Sequence, residues 1–110
     1  MSTLSTLSTH VLDTALGQPA VGIRVELERS DGTLIVSGVT DDNGRLRDFG
    51  EPLSPGSYRL RFHVAEFFSG TERETFYDEI VVAFRVGNDA HYHVPLLLSP
   101  YGYSTYRGTA

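Results

Sequence analysis

The chain has 110 residues, which is enough for one domain with its own hydrophobic core. It is 40% hydrophobic and 21% charged, an ordinary composition for a folded protein that excludes global disorder. The net charge is −5 and the nine basic residues are scattered along the chain. Because a nucleic-acid backbone needs a basic patch, we expect no nucleic-acid partner.

Cysteine is absent, which excludes disulfides, thiolate metal sites and cysteine nucleophiles. The first ten residues have neither the basic start nor the apolar stretch of a secretion signal, and no apolar run reaches membrane length. We therefore expect a cytoplasmic protein without a membrane partner. Residues 1–6 repeat Ser-Thr-Leu and are expected to be a flexible lead-in to a single domain over residues 7–110.

The predicted elements are short strands separated by glycine, proline and asparagine turns. In chain order, strands are predicted over residues 7–13, 21–29, 34–40, 45–49, 58–63, 80–86, 90–98 and 102–107. Helical spacing of apolar residues occurs only within 64–75, where Gly70 limits a helix to a turn or two. About eight regularly spaced strands are typical of an all-β sandwich.

The predicted strand over residues 90–98 is apolar on both faces from Val94 onward. Alternation places His91, His93, Pro95 and Leu97 on one face and Tyr92, Val94, Leu96 and Leu98 on the other. A second copy of the chain is the expected cover for the second face. This arrangement would put His93 in a closed groove shared between subunits.

All four histidines lie on predicted strands. His91 and His93 share a face and could hold a metal ion, with His10 as a third ligand, or they could act as acid–base groups near neutral pH. The sequence alone leaves both chemistries open. His63 is expected on a solvent-facing strand position. No Gly-x-Ser-x-Gly elbow is present, so the C-terminal hydroxyl residues do not indicate a serine hydrolase.

Three segments together resemble the 5-hydroxyisourate hydrolases, the transthyretin-like enzymes of urate degradation. They are Ser8-Thr-His10-Val-Leu-Asp13, Thr40-Asp-Asp-Asn-Gly-Arg45 and the C-terminal Tyr106-Arg-Gly-Thr109. The resemblance runs from Leu7 to the end of the chain. It implies a transthyretin/prealbumin-like sandwich of two four-stranded antiparallel sheets with one short helix. It further implies a homotetramer with its sites at the dimer–dimer interface.

The resemblance also implies an activity and the residues that carry it. The activity is hydrolysis of 5-hydroxyisourate to 2-oxo-4-hydroxy-4-carboxy-5-ureidoimidazoline, with no metal and no organic cofactor. The implied catalytic residues are His10, Arg45, His93 and Thr109, and the implied substrate-binding residues are His10, Arg45, Tyr106, Arg107 and Gly108. Many relatives end in serine where this chain has Thr109. The alternatives are a transthyretin-like carrier of small ligands, a metal-dependent hydrolase and a purely structural domain.

Overall fold

Alternating apolar residues on each strand fill the space between two packed β-sheets. This arrangement comes from a computed structural model, which describes residues 4–109. The elements are β1 (Thr6–Asp13), β2 (Gln18–Pro19), β3 (Arg24–Arg29), β4 (Leu34–Val39), β5 (Arg45–Leu46), β6 (Gly56–Phe62), α1 (Val64–Ser69), β7 (Ile80–Val86), β8 (His91–Ser99) and β9 (Gly102–Thr105).

The first sheet has the order β2-β1-β8-β9, with β5 also paired to β1, and the second has the order β4-β3-β6-β7. The predicted all-β sandwich with one short helix is confirmed. The first sheet differs from the predicted four antiparallel strands, because the two-residue strands β2 and β5 both pair with β1. In addition, β1 and β8 are parallel. Such a pair requires a long crossover, and here the whole second sheet separates the two strands in sequence.

The inward face of each long strand supplies the core. Its fully buried members include Val11 on β1, Val25 and Leu27 on β3, Leu60 and Phe62 on β6, and Leu96 and Leu98 on β8. The predicted alternation is therefore confirmed on these strands. Val21 is an exception, since it opens the strand predicted over residues 21–29 but is 47% exposed. The chain turns at this point around Gly22, whose φ is +82°, so the strand begins only at Arg24.

Both ends of the chain extend beyond the described residues. Residues 1–3 of the predicted lead-in and residue 110, the last of the predicted domain, lie outside the described range. Within that range, Ser5 pairs with Leu53 and Thr6 opens β1. No helix within residues 4–109 is long and apolar enough to cross a membrane.

A buried ion pair lies at the end of β1. Asp13 is 2% exposed and is held by Arg73, whose guanidinium also lies over the ring of Phe68. Replacing Arg73 with alanine leaves a buried carboxylate without its counter-ion. We expect the free energy of unfolding to fall by about 3 kcal/mol, the lower end for a broken buried pair, because the Arg73 side chain keeps 23% exposure.

Chemical denaturation at one fixed protein concentration measures this loss. The matched control is Arg24→Ala, which breaks the exposed pair with Glu66 and should cost about 1 kcal/mol or less. An equal decrease in the free energy of unfolding in the two variants would contradict a larger contribution to stability from the buried pair.

Candidate active site

The outer face of the first sheet carries a cluster of polar side chains at its centre. Because β1 and β8 are parallel, the register aligns Thr6 with His91, Ser8 with His93, His10 with Pro95 and Leu12 with Leu97. The intervening β1 residues, Leu7, Thr9 and Val11, are buried between the sheets. Alternation therefore turns Ser8 and His10 outward, on the same face as His91 and His93.

A tight turn brings Arg45 to this face. The carboxylate of Asp41 accepts hydrogen bonds from the backbone N–H groups of Asn43 and Arg45, both at 2.9 Å. Gly44 has a φ of +74°, and a Cβ there would lie 2.4 Å from the carbonyl oxygen of Val11. Only glycine fits so close to β1 in this conformation. The turn thus starts β5 with Arg45 directly opposite His10.

His10 is fixed by the same turn. Its Nε2 lies 2.8 Å from the carbonyl oxygen of Asn43. Because a carbonyl oxygen can only accept, Nε2 carries the hydrogen and Nδ1 of the neutral ring offers a lone pair. Burial lowers the pKa of His10, and the positive charge of Arg45 lowers it further. The ring is therefore neutral, and able to accept a proton, at neutral pH.

His93 is the most enclosed histidine of the cluster, with 7% exposure. Its Nδ1 lies 2.7 Å from the hydroxyl of Ser8, and Nε2 makes no hydrogen bond within residues 4–109. Burial lowers the pKa of His93, and the positive charge of Arg45 lowers it further. This ring is a second neutral base on the same face.

The C-terminal segment covers the edge of the cluster. Gly108 donates its backbone N–H to the carbonyl oxygen of His93 at 2.8 Å, and a Cβ on Gly108 would lie 2.5 Å from Cδ2 of the His93 ring. Arg107 binds Asp89 at 3.1 Å and stacks on the ring of Tyr92 at 4.4 Å. These contacts hold the backbone of the segment against β8, so Gly108 encloses His93 within a single chain.

Two open depressions adjoin His91, and each has a volume of about 360 Å³. One is lined by Ser8, Arg45, Arg47 and His91, and the other by His91, Arg107, Gly108 and Thr109, among other residues. Tyr106 lies apart from both. It borders an apolar cavity of about 300 Å³ with Tyr92 and Val94, toward β7. One chain therefore brings together all the predicted site residues except Tyr106.

Comparisons with known proteins show the family of the chain. The sequence model of the HIUase/Transthyretin family matches residues 7–108. The chain belongs to this family. The 5-hydroxyisourate hydrolase of Caulobacter vibrioides is 45% identical over 96% of this chain and all of the relative. That of Deinococcus radiodurans is 46% identical over 94% of this chain and 95% of the relative.

Solved structures of the HIUase/Transthyretin family have the same fold. The 5-hydroxyisourate hydrolase of Klebsiella pneumoniae superposes with a TM-score of 0.89 at 39% identity, covering 96% of this chain and 94% of that one. Sea bream transthyretin in complex with thyroxine superposes with a TM-score of 0.88 at 27% identity, covering 96% of each chain. The family therefore includes both an enzyme and a hormone-bound protein on this scaffold.

The other two histidines, His63 and His91, have different surroundings. His63 follows β6 as the residue before α1 and contacts Glu26 of the second sheet, away from the cluster. His91 directs Nε2 toward the hydroxyl of Ser8 at 2.8 Å. Within residues 4–109, no group of three or more histidine and carboxylate side chains has the geometry of a metal site. Ser8 was not among the predicted site residues, although its place on the predicted strand face of His10 was visible in the sequence.

The pKa values of the two site histidines give a direct test of this geometry. Arg45→Met removes a positive charge that lowers both values, so the pKa of His10 and of His93 should rise toward the usual value of about 6.5. As the pH falls, each ring should then become protonated, and stop acting as a base, at a higher pH than in the unmodified chain. Proton NMR titration of the ring hydrogens measures the midpoints.

Arg47→Met is the matched control, because Arg47 lines the same depression but is not among the charges that shift either histidine. Its midpoints should equal those of the unmodified protein. Unchanged midpoints in Arg45→Met would contradict the close approach of Arg45 to the rings.

Proposed function

We propose that the chain hydrolyses 5-hydroxyisourate to 2-oxo-4-hydroxy-4-carboxy-5-ureidoimidazoline, a step of urate degradation. The observation that carries the proposal is the convergence of His10, His93 and Arg45 on one outer face, with both imidazoles held neutral. Support also comes from the 5-hydroxyisourate hydrolases that are 45–46% identical to this chain over nearly their full lengths.

The roles follow from the chemistry of each group. A neutral imidazole of His10 or His93 takes a proton from a bound water, which then attacks a ring carbonyl of the substrate. Arg45 does not give up its proton, so its guanidinium holds substrate oxygens and stabilises the negative charge that develops at the attacked carbonyl. Thr109 and Gly108, beside His91 and His93, bind substrate or the attacking water. Arg107 contributes by holding this segment through Asp89 and Tyr92.

The assembly that we infer is a homotetramer with its sites at the dimer–dimer interface. Leu12 and Leu97 lie on the same outer face as the histidines, and they are only half-buried in the single chain. A second subunit docked there would bury this apolar surface and exclude water from the site. Sedimentation equilibrium that gives a stable monomer would contradict the assembly.

The ultraviolet decay of freshly generated 5-hydroxyisourate tests the function. We expect the purified chain to accelerate decay well beyond the spontaneous rate, with and without a chelator. Decay at the spontaneous rate would contradict the proposal. Loss of activity after chelation, with recovery on adding zinc, would instead support the metal-dependent alternative through the site histidines.

A carrier function is the second candidate, and one observation favours it. The apolar cavity beside Tyr106 has room for a small ligand, and sea bream transthyretin shares the fold in a complex with thyroxine. Against it, a carrier of apolar ligands gains little from an arginine and two histidines gathered on one face. Tight thyroxine binding without any acceleration of decay would favour the carrier.

A further inference from the structure

A continuous row of hydrogen bonds runs across the outer face from β1 to β8 and back. Thr6 Oγ1 lies 2.6 Å from Nδ1 of His91. Nε2 of His91 lies 2.8 Å from Oγ of Ser8, which in turn lies 2.7 Å from Nδ1 of His93. We call these four residues the hydroxyl–imidazole row. The parallel register creates it, because Thr6 aligns with His91 and Ser8 with His93.

The direction of the bonds in the row fixes which nitrogen of His93 carries a hydrogen. A serine hydroxyl has one hydrogen to donate and lone pairs to accept with. When Ser8 donates to Nε2 of His91, it accepts from Nδ1–H of His93, and Nε2 of His93 is then a free base. When every bond in the row reverses, Nε2 of His93 carries the hydrogen and is an acid. One concerted reversal therefore converts His93 from base to acid.

The row joins an enclosed ring to a more open one. Ser8 and His93 are 8% and 7% exposed, whereas His91 is half-buried and borders both depressions. Positive charge on His93 is disfavoured by burial and by the nearby guanidinium of Arg45. The same charge on His91 remains in contact with solvent. A proton that leaves His93 along the row therefore reaches a ring that is open to solvent.

We propose that Ser8 and His91 form a proton relay that serves His93 during ring opening, an inference that rests on the proposed function. Nε2 of His93 takes a proton from water as the new C–O bond forms. Nδ1 of His93 passes its hydrogen to Ser8 while Ser8 passes its own to Nε2 of His91, which becomes an imidazolium. When the ring C–N bond breaks, the transfers reverse and Nε2 of His93 gives the proton to the departing nitrogen. No proton is gained or lost over the cycle.

The test compares kcat and KM of Ser8→Ala and His91→Gln with the unmodified chain. Ser8→Ala breaks the row, and glutamine at position 91 can hydrogen-bond but cannot take up a proton at neutral pH. We expect kcat to fall on the order of 10²-fold in both variants, with KM changed less than about twofold, because proton transfer fails while substrate binding remains. Ser8→Thr should restore most of kcat, and added imidazole should partly rescue His91→Gln.

Thr14→Val is the matched control, since it removes another hydroxyl that bonds from the end of β1 to β8, at the carbonyl oxygen of Leu98. Its kcat should stay within about twofold of the unmodified value. A kcat within twofold in Ser8→Ala or in His91→Gln overturns the relay. If the unmodified chain does not accelerate ring opening, it is the proposed function that fails.

Nitrogen NMR of the unmodified chain tests the row even if a variant does not fold. Above the pKa of His93, the relay predicts a hydrogen on Nδ1 and a bare Nε2, because Ser8 donates to His91. A resting ring with its hydrogen on Nε2 would overturn the assigned direction and, with it, the relay.

Discussion

Replacing His93 with alanine is expected to slow the ring opening of 5-hydroxyisourate by about 10²–10⁴-fold, the usual effect of losing a general acid–base group. This corresponds to about 3–5 kcal/mol of transition-state stabilisation. His10→Ala is expected to lower the rate by the same order, because His10 is also neutral and shares the outer face with His93 and Arg45. The initial rate of ultraviolet decay of the substrate measures both effects.

The matched control for the histidine variants is His63→Ala. This histidine contacts Glu26 on the second sheet, so its loss should leave the ring-opening rate unchanged. All three variants should keep the oligomeric state and the circular dichroism of the unmodified chain. Near-normal turnover in both His93→Ala and His10→Ala would reject the assigned site.

Gly108→Ala is expected to reduce kcat on the order of 10²-fold by displacing the ring of His93. The added Cβ would lie 2.5 Å from Cδ2 and 3.3 Å from Cγ of that ring, which is far inside normal contact distance. Either the ring must rotate away from Ser8, or the segment that carries Thr109 must leave β8. A misplacement of about 1 Å at a reacting group typically costs ~10²-fold in rate. Steady-state kinetics and the NMR signals of His93 measure the effect.

Gly102→Ala is the matched control in the same C-terminal region. Its added Cβ would come no closer than 3.7 Å to its nearest neighbour, the hydroxyl of Ser99, an ordinary contact. We expect unmodified kinetics from this variant. Unmodified kinetics in Gly108→Ala, together with unchanged His93 signals, would show that the contact between Gly108 and His93 does not position the base.

Much of the fold follows from local patterns in the sequence. All eight predicted strands are present, and the Asn43-Gly44 turn delivers Arg45 to the sheet as its composition suggests. These features depend on alternation and turn chemistry, which a short stretch of sequence contains. The helix was also placed correctly at its start, and it ends at Ser69, just before Gly70.

The site was harder to predict because it depends on pairing between distant segments. Nothing local indicates that β1 and β8 are parallel, and only that register places Ser8 between His91 and His93. Metal ligation by His91 and His93, one of the two chemistries that the sequence left open, rested on their spacing alone. In the structure, both rings bond to a serine hydroxyl that comes from another strand.

The burial of His93 has a different origin from the one expected. We predicted that a second copy of the chain would enclose it, yet His93 is already buried in the single chain, with only 7% exposure. The C-terminal segment provides this cover through Gly108. In the proposed assembly, a partner subunit would cover the two open depressions beside His91.

A crystal structure of the protein with a bound substrate-like purine tests the central claim most directly. The proposal predicts that the purine lies on the outer face of β1 and β8, in hydrogen-bonding contact with Arg45 and within reach of both His10 and His93. A purine bound only in the apolar cavity beside Tyr106, with the two histidines and Arg45 untouched, would contradict it.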